Sequence, residues 1–151
     1  MKDQVSIKSY ETKDKSFIMA LLKMNTPKYF SPKEENDLIY YLENEIENYF
    51  VVEYEKKIVA CGGINFSDDL TTAKISWDII HPHFQAKGIG SLLLNHRLTL
   101  LKSFNHLQII SVRTSQLAYK FYEKHGFKLV EVSKDYWAKG FDLYRMEKRQ
   151  Q

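Results

Sequence analysis

The chain has 151 residues, 44% of them hydrophobic and 14% aromatic, which suits the core of one globular domain spanning residues 1–151. Its 22 basic residues are scattered among 19 acidic ones, and the net charge of +3 does not indicate a nucleic-acid partner. No apolar run resembles a signal peptide or a membrane span, so we expect a cytoplasmic protein with no membrane partner. With Cys61 as the single cysteine, neither an internal disulfide nor a metal site is expected.

The first part of the chain predicts one strand and two helices. Residues 5–10 alternate between apolar and polar like a strand, and apolar residues then recur at helical spacing after Asp14, a candidate N-cap. Pro27 ends that helix or follows its end. The segment Ser31-Pro32-Lys33-Glu34 combines a capping serine, a proline suited to the first turn and a glutamate that completes a capping box. A second helix is therefore predicted from this segment to about Glu47.

The middle of the chain predicts three strands and a helix. Residues 50–54 and 58–64 are rich in β-branched and aromatic residues and are separated by a charged turn, which indicates a hairpin. After a turn at 67–69, residues 72–80 form a further strand. A helix with a broad apolar face begins at Gly88 and is expected to end near Asn105.

The last part of the chain predicts a strand at 107–112, a helix and two closing strands. The helix has an apolar stripe, with Tyr119 expected to point outward, and Gly126 is placed as its C-cap. The apolar stripe of this helix consists of Leu117, Ala118, Phe121, Tyr122 and His125. The two closing strands, over 127–132 and 143–146, are joined by the segment 135–140. This order predicts a mixed α/β (α+β) fold with helices on both faces of the sheet.

One motif points to a ligand. The segment from Gln85 to Gly90 follows a strand and opens a helix, and such a turn presents free backbone N–H groups suited to a phosphate. Glycines also occur where the backbone turns sharply or packs closely, so the motif has a structural explanation as well. The third glycine of a dinucleotide-binding fingerprint and the Gly-Lys-Ser/Thr of a P-loop are both missing.

With a second motif, the chain resembles the GNAT superfamily of acyl-CoA-dependent N-acyltransferases from Val5 to Glu147. The central loop of that family reads Gln/Arg-x-x-Gly-x-Gly/Ala, which Gln85, Gly88 and Gly90 satisfy. The later family segment reads Asn-x-x-Ala-x-x-x-Tyr-Glu-Lys-x-Gly-Phe. It is matched here, with serine in place of asparagine, by Ser115, Ala118, Tyr122, Glu123, Lys124, Gly126 and Phe127.

The resemblance implies the GNAT fold, with a mixed, mostly antiparallel sheet of six to seven strands flanked by about four helices. It also implies that acetyl-CoA donates the acyl group, by direct attack in a ternary complex, to a primary amine on a small molecule or a peptide. A homodimer is common in the family. Lys87 is equally explained as a solvated loop residue. The residues expected to contact the cofactor are the main chain of Ile80, the loop residues Gln85, Ala86, Lys87, Gly88, Ile89, Gly90 and Ser91, and the substituted Ser115.

Two residues are candidates for proton transfer. Tyr122 resembles the family's general acid and would reprotonate the departing sulfur, although a core tyrosine would follow the same pattern. Asp78, on the strand face opposite Trp77, is the best candidate for the base. Asp78 could equally be a structural acceptor, and His81 or a water chain could take the proton instead. A second hypothesis is a non-catalytic acyl-CoA-binding regulatory module, and the acceptor and the length of the acyl group stay open.

Overall fold

The computed structural model describes residues 4–150, and these residues form one seven-stranded sheet with four α-helices. None of the four helices is long and apolar enough to cross a membrane. The elements are β1 (Val5–Ser9), α1 (Lys15–Met24), α2 (Glu34–Asn44), β2 (Asn48–Tyr54), β3 (Lys57–Phe66), β4 (Thr72–Ile80), α3 (Ile89–Leu101), β5 (Ile109–Thr114), α4 (Tyr119–Lys124), β6 (Lys128–Ala138) and β7 (Phe141–Arg149). The predicted fold class is confirmed.

The sheet has the order β1-β2-β3-β4-β5-β7-β6, and β4 with β5 is its only parallel pair within residues 4–150. That pair is short: it begins at Thr72 with Ile109 and ends at Ile75 with Val112. Beyond Ile75, β4 continues to Ile80 with β3 alone as its partner. The two parallel strands therefore part in the middle of the sheet.

Helices cover both faces, and β4 contributes to the core on each side. Ile75 packs in the cluster beneath α3, whereas Ile79 packs in the cluster beneath α1 and α2. In a regular strand two residues four apart would share one face. Trp77, with φ of 50°, breaks this alternation, and the facing strand shifts register between Cys61 and Gly63. A bulge thus turns the end of β4 over at the point where it leaves β5.

The predicted contacts between Ser31 and Glu34 form in the turn before α2, and Asp14 occupies the predicted N-cap position of α1 without a capping hydrogen bond. The Ser31 N–H donates to Glu34 Oε2 at 2.8 Å, while Ser31 Oγ accepts from the Lys33 N–H at 3.2 Å. The Asp14 side chain makes no cap bond to α1. It instead accepts the Glu11 N–H at 2.9 Å, closing a short 3-10 turn before the helix.

Several predicted boundaries differ from the structure. α2 ends at Asn44 rather than near Glu47, because the Glu47 carboxylate instead accepts the Phe66 N–H at 3.0 Å and joins the start of β2 to the end of β3. α3 ends at Leu101, four residues before the predicted end, and β5 lies two residues later than predicted. The closing strands β6 and β7 are longer than the predicted strands and absorb most of the segment between them.

The helix α4 is shorter than its apolar stripe, and two stripe assignments are wrong. Tyr119, predicted to point outward, packs against the core, with its ring 4.7 Å from that of Tyr144. Leu117, predicted to be buried, precedes the helix and is 45% exposed. The predicted C-cap is present: Gly126 has φ of 93°, and the N–H of Phe127 donates to the carbonyl of Tyr122. This closing geometry holds Tyr122 in place.

Replacing Gly126 with alanine tests the cap. We expect Gly126→Ala to lower the free energy of unfolding by roughly 1–2 kcal/mol, because a left-handed conformation is costly for a residue with a Cβ. Urea unfolding of the variant measures the loss. Glu123→Ala, at an exposed position of the same helix, is the control. Equal stability of Gly126→Ala and the parent protein would contradict the assigned cap.

Candidate functional site

A cavity of about 690 Å³ occupies the gap where β4 and β5 part. Its walls include Trp77 and Asp78 from β4, Val112 and Arg113 from β5, and Tyr122 from α4. The cavity extends from the glycine-containing loop before α3 to a group of aromatic side chains beside α2. A single continuous space therefore reaches both motifs singled out in the sequence.

The glycine-containing loop presents a row of main-chain donors. The first intrahelical bond of α3 runs from the Leu92 N–H to the Gly88 carbonyl, at 2.9 Å. The N–H groups of Ile89, Gly90 and Ser91 precede that bond, so they have no acceptor within the helix. They lie at the positive end of a helix of 13 residues, which favours an anion there.

The two glycines of this loop are needed for different reasons. Gly88 has φ of 84°, and a Cβ built on it meets no atom within 4 Å, so the requirement is conformational. A Cβ on Gly90 would lie 3.3 Å from the ring of Phe121, so the requirement there is close packing of α3 against α4. Each glycine thus meets a structural need, the backbone turn at Gly88 and the close packing at Gly90.

The side chain of Gln85 anchors the loop to the end of β4. Its Nε2 donates to the Ile80 carbonyl at 3.2 Å and to Asn25 Oδ1 at 3.0 Å, while Asn25 Nδ2 donates to the same carbonyl at 3.0 Å. The Ile80 carbonyl is therefore already occupied. In the ladder with β3, the His81 N–H donates to Val59, so by alternation the Ile80 N–H points away from β3, toward the gap.

The remaining predicted cofactor contacts differ in their positions. Ser115 is buried and lines the cavity, but its Oγ accepts the Leu117 N–H at 3.2 Å and so shapes the turn before α4. The Ile89 side chain lies in the core. The Lys87 ammonium lies 5.6 Å from the centre of the Phe84 ring. Ser91 Oγ is 3.0 Å from His125 Nε2, which links the start of α3 to the end of α4.

The two predicted proton-transfer residues are in direct contact with each other. Tyr122 Oη donates to Asp78 Oδ2 at 2.7 Å. Asp78 also receives two hydrogen bonds from Arg97 on α3: Nη1 to Oδ1 at 2.6 Å and Nη2 to Oδ2 at 3.0 Å. Arg97 is 0% exposed and donates further to the carbonyls of Gly63 and Leu93. These contacts form a buried network of Arg97, Asp78 and Tyr122, called the buried triad below.

Burial and charge set the protonation of the triad. Burial raises the pKa of the Tyr122 phenol well above its usual value, and the neighbouring Asp78 carboxylate raises it further. Burial alone would lower the pKa of Arg97, but the Asp78 carboxylate raises it. Tyr122 is therefore protonated, and Arg97 charged, throughout the neutral range. Asp78 was predicted as the base, and its carboxylate accepts three hydrogen bonds, two from Arg97 and one from Tyr122. This arrangement also fits the alternative role, that of a structural hydrogen-bond acceptor.

Gly62 on β3 makes room for the ion pair. A Cβ built on Gly62 would lie 2.2 Å from Asp78 Oδ1 and 2.9 Å from Arg97 Nη1. Neither atom can move away easily, because each is held by the bidentate contact. The sequence carried a signal here, adjacent glycines inside a buried strand, which typically mark a close approach. Gly62, Arg97 and Asn25 contribute to the site, although none of them was predicted from the sequence.

The far end of the cavity is aromatic. The ring of Phe30 stacks on Trp77 with centres 6.2 Å apart, and Tyr49 Oη donates to the Trp77 carbonyl at 2.8 Å, which holds the bulge of β4. Glu34 and Glu45 also line this end. Burial raises the pKa of Glu34, opposed by the hydrogen bond from the Ser31 main chain. The wall combines flat apolar surfaces with carboxylates.

Within residues 4–150, no group of three or more His, Cys, Asp or Glu side chains is arranged to hold a metal ion. His81 Nδ1 accepts the His83 N–H at 3.1 Å, and burial lowers the pKa of His81. His81 is not among the residues that line the cavity.

Comparisons with known proteins agree with the fold. The family model described as "Acetyltransferase (GNAT) domain" matches residues 45–129. Over 92 residues the chain is 27% identical to an amino-acid acetyltransferase of Pasteurella multocida (strain Pm70), a match that covers 61% of this chain and 20% of that protein. The chain thus spans about a fifth of the length of that curated relative.

Solved structures share the whole fold at low identity. Ard1 from Thermoplasma volcanium superposes with a TM-score of 0.82 and 17% identity, covering 98% of this chain and 99% of that one. An aminoglycoside 6′-N-acetyltransferase complexed with coenzyme A superposes with a TM-score of 0.76 and 15% identity, covering 95% and 96%.

Removing the charge of Arg97 tests the buried triad. We expect Arg97→Met to lower the free energy of unfolding by about 3–5 kcal/mol, because it leaves the Asp78 carboxylate without its partner. Arg145→Met, which breaks exposed ion pairs with Glu131 and Glu147, is the control and should cost about 1 kcal/mol or less. Chemical denaturation measures both. Similar losses in the two variants would contradict the assigned ion pair.

Proposed function

The chain belongs to the acetyltransferase (GNAT) domain family, and on that premise we propose that it transfers an acetyl group from acetyl-CoA to a primary amine. The observation that carries the proposal is the cavity between β4 and β5, which joins the N–H groups at the start of α3 to the Tyr122 hydroxyl. An elongated donor with phosphates at one end and a thioester at the other fits such a space. The acceptor is a small molecule or a peptide.

We assign the diphosphate of the donor to the main chain of the loop before α3. Gly90 and Ser91 line that end of the cavity, and the N–H groups of residues 89–91 have no acceptor within α3. A helix N-terminus contributes typically 0.3–1 kcal/mol toward an anion. The amide groups of the pantetheine arm would meet the unpaired edge of β4. Since Asn25 and Gln85 occupy the Ile80 carbonyl, we assign the contact there to the Ile80 N–H.

Direct attack on the thioester needs a proton to leave the amine and another to reach the sulfur. A lysine-like ammonium has a pKa of about 10.4, so its neutral form costs roughly 4 kcal/mol at pH 7. Tyr122 is protonated at neutral pH and lines the cavity, which suits a group that supplies the proton to the sulfur. No metal takes part in this proposal.

We place the acceptor at the aromatic end of the cavity. Phe30 and Trp77 offer flat apolar surfaces, and Glu34 and Glu45 offer carboxylates that attract an ammonium group. Phe30 comes from the segment between α1 and α2 and Trp77 from β4, while Glu34 begins α2 and Glu45 follows its last residue.

A second candidate is the non-catalytic acyl-CoA-binding module. It is favoured by one observation: Arg97 and Tyr122 already occupy the Asp78 carboxylate, the predicted base. The module and the enzyme share the cofactor site and differ in turnover. The homodimer and the cytoplasmic location remain predictions.

Turnover distinguishes the two candidates. We expect the protein to release free thiol from acetyl-CoA in the presence of at least one member of a panel of diamines, amino acids, aminoglycosides and peptides. Tyr122→Phe should reduce that rate by about 100-fold at saturating acetyl-CoA, the typical contribution of an acid–base group. The matched control is Tyr40→Phe, at an exposed tyrosine of α2. Tight binding of acetyl-CoA without turnover of any amine would favour the module.

Gly88 tests the phosphate site. We expect Gly88→Val to raise the dissociation constant of acetyl-CoA by about tenfold or more, because a β-branched residue does not adopt its φ of 84° and the adjacent N–H groups must turn. Calorimetry measures the constant. Gly140→Val is a matched control, since Gly140 has φ of 86° and equally open surroundings but lies in the β6–β7 turn. An equal rise of the dissociation constant in both variants would contradict the assignment of this loop to the acetyl-CoA site.

A further inference from the structure

We propose that Tyr122 and Asp78 form a proton shuttle, held in position by Arg97, which carries the proton of the attacking amine to the departing sulfur. The inference rests on the proposed acetyl transfer and deepens it by assigning the acid and the base to one chain of hydrogen bonds. The buried triad therefore replaces a separate base. Arg97 is a positioning residue, since it reaches the reaction only through Asp78.

The direction of the Tyr122 hydroxyl carries the inference. A guanidinium group donates and never accepts, so both Asp78 oxygens act as acceptors toward Arg97. Asp78 Oδ2 is 2.7 Å from Tyr122 Oη, and the phenol must be the donor in that bond. With its hydrogen directed at Asp78, the phenol oxygen has lone pairs left for a group in the cavity. Tyr122 thus meets the substrate first as an acceptor.

An acceptor in that position suits the amine better than the thiolate. An ammonium acceptor first releases one proton to water. As the resulting neutral amine nitrogen bonds to the thioester carbon, its remaining N–H becomes acidic and donates to Tyr122 Oη, while the phenol's own proton moves to Asp78 Oδ2. When the carbon–sulfur bond breaks, the sulfur keeps the electron pair and takes the proton from Tyr122. Tyr122 then recovers a proton from Asp78. One proton has moved from nitrogen to sulfur, and both side chains return to their starting state.

Arg97 holds the Asp78 carboxylate against the phenol. Its guanidinium donates one hydrogen bond to each Asp78 oxygen, which fixes Oδ2 at 2.7 Å from Tyr122 Oη. Arg97 is 0% exposed and is also fixed by the carbonyls of Gly63 and Leu93. Gly62 permits the close approach of Asp78 to Arg97. The side chain of Asp78 is only 13% exposed, which limits exchange of this proton with solvent.

A double-mutant cycle tests the shuttle. The variants are Asp78→Asn, Tyr122→Phe and the two combined, with Asp37→Asn and Tyr40→Phe as exposed controls on α2. We expect Asp78→Asn to lower kcat about tenfold or more and to change the dissociation constant of acetyl-CoA less than about twofold. The combined variant should be no slower than Tyr122→Phe alone, because Asp78 acts through the phenol. Thermal unfolding establishes that each variant is folded.

A measurement on the unaltered protein covers the case in which Asp78→Asn does not fold. In mixtures of light and heavy water, the single-turnover rate should fall below the straight line that joins its values in the two pure solvents, as expected for two protons in flight. A linear dependence, or kcat losses that multiply in the combined variant, would overturn the shuttle. If the unaltered protein turns over no amine, the proposed function fails and the shuttle with it. If the protein turns over an amine and its rate depends linearly on the deuterium fraction, the shuttle is wrong but the proposed function stands.

Discussion

The ion pair between Asp78 and Arg97 is the interaction on which the site depends. β4 leaves its parallel partner after Ile75, and the bulge at Trp77 turns its remaining residues over. The two hydrogen bonds from Arg97 fasten this end of β4 to α3. A fully buried charge is costly, so both members of the pair are required together.

The proposed chemistry depends on the same parting of strands. Within a sheet, main-chain groups satisfy each other, whereas at the gap they are available to a ligand. The Ile80 carbonyl is satisfied by Asn25 and Gln85, which leaves its N–H as the group that faces the gap. The start of α3 supplies further N–H groups at one end of the cavity, and the Tyr122 hydroxyl lies further along the same cavity. In the proposed function, donor binding and proton transfer therefore use a single structural irregularity.

Local patterns predicted most of the fold, because strand alternation, capping and glycine positions are properties of a few adjacent residues. The contact between Ser31 and Glu34, the C-cap at Gly126 and the loop through Gly88 follow from such patterns. The contact of Arg97 with Asp78 joins residues 19 apart on a helix and a bulged strand. No short-range signal indicates that an arginine within an apolar helix faces the core. The contact of Gly62 with that ion pair is equally long-range, and the sequence contains only one local sign of it, the adjacent glycines Gly62 and Gly63.

The proposed function requires the gap between β4 and β5 to hold the thioester beside the buried triad. A crystal structure of the protein with a non-hydrolysable acetyl-CoA analogue would show whether it does. We expect the diphosphate on the N–H groups that begin α3, the pantetheine arm along β4, and the atom replacing sulfur within hydrogen-bonding distance of Tyr122 Oη. An analogue bound outside the gap, or with its acyl end away from Tyr122, would refute this placement.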